Sequence, residues 1–233
     1  MSFRQIVLVS DGESNYGISP VEVAKRAFQN GIQVSTIGIV RNTKVEKPLV
    51  ELEEIALNGG GLCQITNLEN ITTAMSMVTV ASVHNTIENI VNKELMEIMD
   101  VDIKGVPPKM RGKIVGMMDK LQEDIPIECL LLLDVSGSMK GKIPAAKRGI
   151  LELLRFLKER NGSSQIGVIT YPGEDNTFEI LSQFTSDIDY LESCLNCITT
   201  GGVTPTGPAL EGGIEMLLHN TGEEGIVFKD YIV

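Results

Sequence analysis

The chain has 233 residues, 42% of them hydrophobic, with 31 acidic and 20 basic side chains and a formal charge of −11. That apolar share is enough for a sizeable core in one large domain or two small ones. The acidity argues against sequence-independent binding to nucleic acid, which needs clustered Lys and Arg, and disfavours an anionic membrane surface.

No secretory signal is expected, because Ser2-Phe3-Arg4 runs directly into an apolar strand too short to cross a membrane. Ile6 to Val9 reads as a buried strand, with Ser10-Asp11-Gly12-Glu13 as the loop at its carboxyl end. Ser19-Pro20-Val21-Glu22 is a helix start, with Ser at the cap and Pro at the first helical position. Val23, Ala27 and Phe28 give that helix an apolar face, and Asn30-Gly31 ends it. Ile32 to Val40 is a second strand. Leu49 to Asn58 is a short helix with Leu52, Ile55 and Ala56 inward, and Leu62 to Thr66 is a third strand at a sheet edge. Asn70 to Val83 reads as a helix.

Ile87, Ile90, Val91, Leu95 and Ile98 recur at helical spacing, so 85–99 reads as a separate amphipathic helix. Gly105 and Pro107-Pro108 supply a turn. Met110, Ile114, Met117, Met118 and Leu121 then mark another helix, which makes 85–125 a helical hairpin. Its methionine-rich face is expected to pack on the domain it tethers rather than on a partner.

Leu130 to Lys140 reads LLLLDVSGSMK. Four consecutive leucines suit a strand buried on both faces, as in a parallel sheet flanked by helices. At its carboxyl end, where open α/β sheets bind ligands, Asp134, Ser136 and Ser138 present three oxygens at alternate positions. Oxygen-only donors of this kind suit a hard divalent cation, Mg²⁺ above all. A helix follows over about Pro144 to Arg160, with Ile150, Leu153, Leu154 and Leu157 as its buried stripe. Ile166 to Tyr171 and Phe178 to Leu181 read as a hairpin around Pro172-Gly173-Glu174-Asp175-Asn176. Asp187 to Ile198 is a helix, followed by a Gly-rich loop around Thr204 and a helix over about Pro208 to Leu218. The last residues, Phe228 to Val233, are similar to Phe3-Arg4-Gln5-Ile6-Val7.

Asp134-x-Ser136-x-Ser138 resembles the metal-ion-dependent adhesion site of von Willebrand factor type A domains. The resemblance implies that Thr204, in ITTGGVTPTGPALEGGI, and Asp11, in RQIVLVSDGES, complete the same site. In that family the Asp-bearing strand comes last, whereas here it comes first. The implied architecture is a doubly wound, mostly parallel α/β sheet with one antiparallel edge strand, circularly permuted or half-swapped. Residues 1–84 would be the back half of the fold, 85–125 a hairpin linker, and 126–233 the front half. The halves would pair within one chain as a monomer, or between two chains as a reciprocal homodimer.

On this resemblance Ser136, Ser138 and Thr204 give hydroxyl oxygens to Mg²⁺, with Mn²⁺ or Ca²⁺ as alternatives. Asp134 and Asp11 act directly or through water. The partner is a protein presenting Asp or Glu to the metal, met by a rim of Glu13, Ser14, Asn15 and Lys140. The resemblance is to compact bacterial members of tellurite-resistance and ATPase-linked systems, and a cytoplasmic location is expected. Scattered cysteines at 63, 129, 194 and 197 fit a reducing compartment, and Cys194-x-x-Cys197 lacks the second pair of a zinc site. No enzyme is expected. Gly137-x-x-x-Gly141-Lys142 falls one residue short of a phosphate-binding loop, and His84 and His219 lie outside every motif. A Mg²⁺-dependent phosphohydrolase using Asp134, with Lys140 and Lys142 as the available phosphate contacts, is one alternative. A structural or assembly module without a completed site is the other.

Overall fold

A computed structural model of the protein describes residues 2–40, 50–173 and 177–220. Six strands and seven helices are formed among them. They run β1 (Phe3–Ser10), α1 (Pro20–Gln29), β2 (Gln33–Ile39), α2 (Val50–Asn58), β3 (Gly60–Thr66), α3 (Ile71–Met99) and α4 (Pro108–Asp124). The second part has β4 (Ile127–Asp134), α5 (Ile143–Lys158), β5 (Ser164–Tyr171), β6 (Glu179–Thr185), α6 (Ile188–Asn196) and α7 (Thr206–His219). The end of the expected hairpin turn, 174–176, and the terminal run from Phe228 lie outside the described residues.

One sheet holds all six strands in the order β3-β2-β1-β4-β5-β6. Every pairing is parallel except β5 with β6, which is the expected antiparallel edge. β1 and β4 form the centre, with Ile6, Val7, Leu8 and Val9 opposite Leu130, Leu131, Leu132 and Leu133. Both segments meet within a single chain.

The leucine run is explained by two cores. Successive side chains of a strand point to opposite faces. Val7, Val9, Leu131 and Leu133 meet Met75, Ile150 and Leu154 on one side. Ile6, Leu8, Leu130 and Leu132 meet Val23, Ala27, Leu210 and Leu217 on the other. Helices on both faces leave no solvated side, so no polar alternation is written into β1 or β4.

Three expectations are corrected. The two helices read over 70–99 are one, α3, of 29 residues and about 43 Å. No Gly or Pro stands between Val83 and Ile87 to break it. Its first part packs on the sheet through Met75, Val78, Val83 and Ile87, and its second part is only partly buried, with Val91 and Leu95 against the same core. Phe28, expected in the core, is 52% exposed. Its ring lies across Gly60, where a Cβ would come within 2.3 Å of it.

The methionine face does not pack on the domain as a whole. Met118 is buried, but Met96, Met99, Met110 and Met117 are exposed. α3 and α4 instead enclose between them an apolar groove of about 280 Å³, lined by Leu95, Ile98, Met110, Ile114 and Met117 among others. The return from α4 is secured to the domain by Arg160, which donates to the carbonyls of Gln122 and Ile125.

Leu131 is fully buried at the central seam. Leu131→Ala is expected to cost about 2–5 kcal/mol in urea unfolding. A loss below about 1 kcal/mol would contradict a core centred on the β1–β4 pair.

Candidate metal centre

Strand order reverses direction between β1 and β4: β2 and β3 lie to one side, β5 and β6 to the other. At such a switch point the loops leaving adjacent strands diverge and open a crevice at the strands' carboxyl ends. Ser10 and Asp11 close β1 there, and Asp134 closes β4. A 3₁₀ turn over Gly137–Met139, anchored by buried Met139, then leads through Lys142 into α5.

Asp134 is completely buried. One carboxylate oxygen accepts the Ser10 hydroxyl at 2.6 Å and the other accepts the Ser136 amide at 2.8 Å. Burial pushes the Asp134 carboxyl above its usual range. The Ser10 and Ser136 hydrogen bonds oppose the rise, and neighbouring Asp11 adds to it. Ser136 Oγ and Ser138 Oγ lie 3.2 Å apart. Ser138 Oγ donates to Asp11 Oδ1 at 2.7 Å, which brings together residues 127 positions apart. The second Asp11 oxygen, Oδ2, accepts the Lys142 ammonium at 2.5 Å.

Thr204 is tied in through its backbone. Its amide donates to Asn15 Oδ1 at 2.8 Å, and the Asn15 amide donates to its carbonyl at 3.2 Å. The Gly201 amide donates to the Val135 carbonyl at 2.8 Å, so the Thr loop is fastened to both other loops. Gly202 holds φ at 81°, a left-handed conformation that favours glycine. Gly207, in the first turn of α7, abuts the loop after Asp11 so closely that a Cβ would lie 2.0 Å from the Ile18 carbonyl oxygen.

The donors expected from the sequence, two carboxylates with the hydroxyls of Ser136, Ser138 and Thr204, are all oxygen, which would suit a hard divalent ion. Among the described residues no group of three or more His, Cys, Asp or Glu could hold a metal, so any ion held here depends on hydroxyls. Tyr171, opposite Asp134 in the sheet, supplies an independent observation. Its buried hydroxyl lies beside Ser10 and Thr206 yet makes no hydrogen bond of ordinary geometry among the described residues. A water next to Asp134, of the kind a hydrated cation brings, would satisfy it. Burial drives this phenol well above its ordinary range, and the Asp134 charge adds to the effect. The residues present therefore fit a hydrated divalent cation.

Of the residues singled out in the sequence, Asp11, Asp134, Ser136 and Ser138 come together, and Thr204 is held alongside them. Asn15 braces the Thr loop rather than standing free on the rim. The Ser14 amide and hydroxyl both donate to Glu51, and Glu13 and Lys140 are exposed. The sequence assigned Ser10, Glu51 and Tyr171 to no site, and offered Lys142 only as a phosphate contact of the hydrolase alternative. Ser10 had a signal, its place beside Asp11. Glu51, Lys142 and Tyr171 are recruited by the sheet order alone.

An α/β sheet of this order, with a carboxylate and hydroxyl cluster at its switch point, is the design of a von Willebrand factor type A domain. Residues 129–229 match the von Willebrand factor type A domain family. Over 210 residues, 89% of this chain and 86% of the other, the sequence is 33% identical to Uncharacterized protein YabS of Bacillus subtilis (strain 168). The crystal structure of an uncharacterized protein from Alicyclobacillus acidocaldarius subsp. acidocaldarius DSM 446 is 34% identical. It superposes with a TM-score of 0.86, over 94% of this chain and 95% of that one. The chain carries a von Willebrand factor type A domain, matched over residues 129–229.

Because Asp134 titrates above its unfolded value, the folded state binds that proton more tightly than the unfolded chain. The resulting stability is present below the unfolded range and is lost as pH rises through the raised folded value. In metal-free protein, Asp134→Asn is expected to flatten this decline in thermal unfolding as pH rises above the ordinary Asp value of about 4. An unchanged profile would remove Asp134 as its source.

Proposed function

We propose that this chain is a non-enzymatic, metal-dependent protein-binding module. Asp134, Ser136, Ser138, Thr204 and Asp11 hold Mg²⁺, and an Asp or Glu side chain of a protein partner completes its coordination. The observation that carries this reading is the 2.7 Å bond from Ser138 to Asp11, which joins two motifs 127 positions apart in the chain. Neutral hydroxyls leave a bound cation electrophilic, and its charge lets an acidic protein accept an acidic ligand. Exposed Lys140 and Glu13 lie on the rim the partner would meet.

The environment of the two serines favours binding over catalysis. Ser136 and Ser138 are hydrogen-bonded to each other, and Ser138 donates to Asp11, with no imidazole base among their partners within the described residues. His84 pairs with Gln122 on the hairpin, and His219 with the Glu215 carbonyl on α7.

We read the order of the segments as a circular permutation closed within one chain. In support, the 210 residues aligned with YabS take in both segments in the same order. A cytoplasmic setting is read from free Cys63, Cys129, Cys194 and Cys197. No helix among the described residues is long and apolar enough to cross a membrane. The partner is read as part of a bacterial stress-response or ATPase-linked complex, on the likeness of the motifs to compact bacterial members of the family.

Mg²⁺ titration with thermal unfolding tests the metal. At a concentration of 100 times Kd the wild type is expected to gain about 2.7 kcal/mol. Ser138→Ala is expected to lose most of that gain while keeping its metal-free melting temperature within a few degrees. No gain in the wild type would overturn the reading. Turnover of a phosphate ester that is abolished in Asp134→Ala would replace it with a hydrolase.

A further inference from the structure

Lys142 is the one basic side chain bonded into this centre among the described residues, and its surroundings set it apart from a surface salt bridge. The Lys142 side chain is 9% exposed and its Asp11 partner 3% exposed. Its ammonium donates to Asp11 Oδ2 at 2.5 Å and to the Ile39 carbonyl at 3.2 Å. It therefore reaches from the start of α5 to the ends of two strands of the other segment, β1 and β2. Its backbone is held on both sides, its amide by the Met139 carbonyl at 2.7 Å and its carbonyl by the amides of Ala145 and Ala146 at 3.1 Å. A buried ammonium without acceptors is strongly unfavourable, so this side chain is kept in place by the site itself.

The two Asp11 oxygens have separate tasks. Oδ1 takes the Ser138 hydroxyl, and Oδ2 takes the ammonium. Asp11, Asp134 and Lys142 together carry a formal charge of −1 when both carboxylates are ionised. A divalent ion brings that to +1, whereas the same centre without Lys142 would end neutral. A further carboxylate, Glu51, accepts both the amide and the hydroxyl of Ser14.

We propose that Lys142 is a resident cation of this centre. Its ammonium holds Asp11 in place beside Ser138 when no metal is bound. Once a divalent ion is bound, the same charge weakens the ion's hold and leaves the centre net positive toward an anionic partner group. The last part rests on the metal-dependent reading above. Lys142 thus sets a balance between metal affinity and anion affinity, and closes the two segments around Asp11 without metal.

The test compares wild type with Lys142→Met, which keeps the length of the stem and removes the charge. Mg²⁺ binding is measured by calorimetry, and the Mg²⁺-loaded proteins are titrated with acetate by NMR. Lys142→Met is expected to bind Mg²⁺ at least about tenfold tighter and acetate several-fold more weakly. In EDTA its melting temperature should fall by several degrees, and adding Asp11→Asn should restore much of that loss by removing the unpaired carboxylate. Should Lys142→Met alone not fold, the double variant against Asp11→Asn isolates the ammonium: equal melting temperatures in EDTA support the proposal, and a lower value for the double variant overturns it. Wild type that binds Mg²⁺ while Lys142→Met binds it no tighter sinks this inference and leaves the metal-binding module intact. Mg²⁺ binding that appears only in Lys142→Met upholds the resident cation and overturns the metal-dependent function. No Mg²⁺ binding in either protein overturns both.

Discussion

The parallel pairing of β1 with β4 joins strands whose ends, Ser10 and Asp134, are 124 positions apart in the chain and bonded at 2.6 Å. Neither strand has a place elsewhere, because each is apolar on both faces and needs neighbours along both edges. Once they pair, strand order must reverse between them, and the crevice follows from that reversal. The site's first two motifs are delivered to it as the loops leaving these two strands. Its third, around Thr204, is drawn in by backbone bonds to Asn15 and Val135.

Charge is arranged around that seam with unusual economy of ionic groups. Asp134 sits in the most buried position and is supported by a hydroxyl and an amide rather than by a counter-ion. Asp11 does have a counter-ion, Lys142, contributed by the opposite segment. The serine hydroxyls between them add donors and acceptors without adding charge. A cation held there would meet oxygen without being fully neutralised, which is the basis of the anionic ligand proposed above. The buried Tyr171 hydroxyl lies beside Ser10 and Thr206 at the floor of the crevice.

α3 serves two different surroundings along one rod. Its first part covers the sheet beside α5, while its second part, with α4, makes a hairpin whose inner residues Val91, Leu95, Ile114 and Met118 extend that core. Arg160 and the bond from the Gly162 amide to the Glu123 carbonyl at 2.9 Å fix where the chain re-enters the domain. The hairpin thereby turns the end of one segment into the beginning of the next without crossing the crevice.

The sequence alone determined the strands, most of the helices and the motif residues, because these rest on short-range regularities. Alternation, a 3.6-residue period, a proline at a helix start and an Asp-x-Ser-x-Ser spacing are all written within a dozen positions. It also named Asp11 and Thr204, through resemblance in the motifs rather than through any pattern linking them. The unbroken length of α3, the exposure of Phe28 and the open methionine face were decided by packing, since periodicity marks which face is apolar but not what covers it. Tyr171 entered the site, Lys142 gained Asp11 as its partner, and Asn15 became a brace, only through tertiary structure. Lys142 meets a carboxylate 131 positions away. No local pattern encodes that meeting, which exists only because two buried strands share one set of hydrogen bonds at the middle of the sheet.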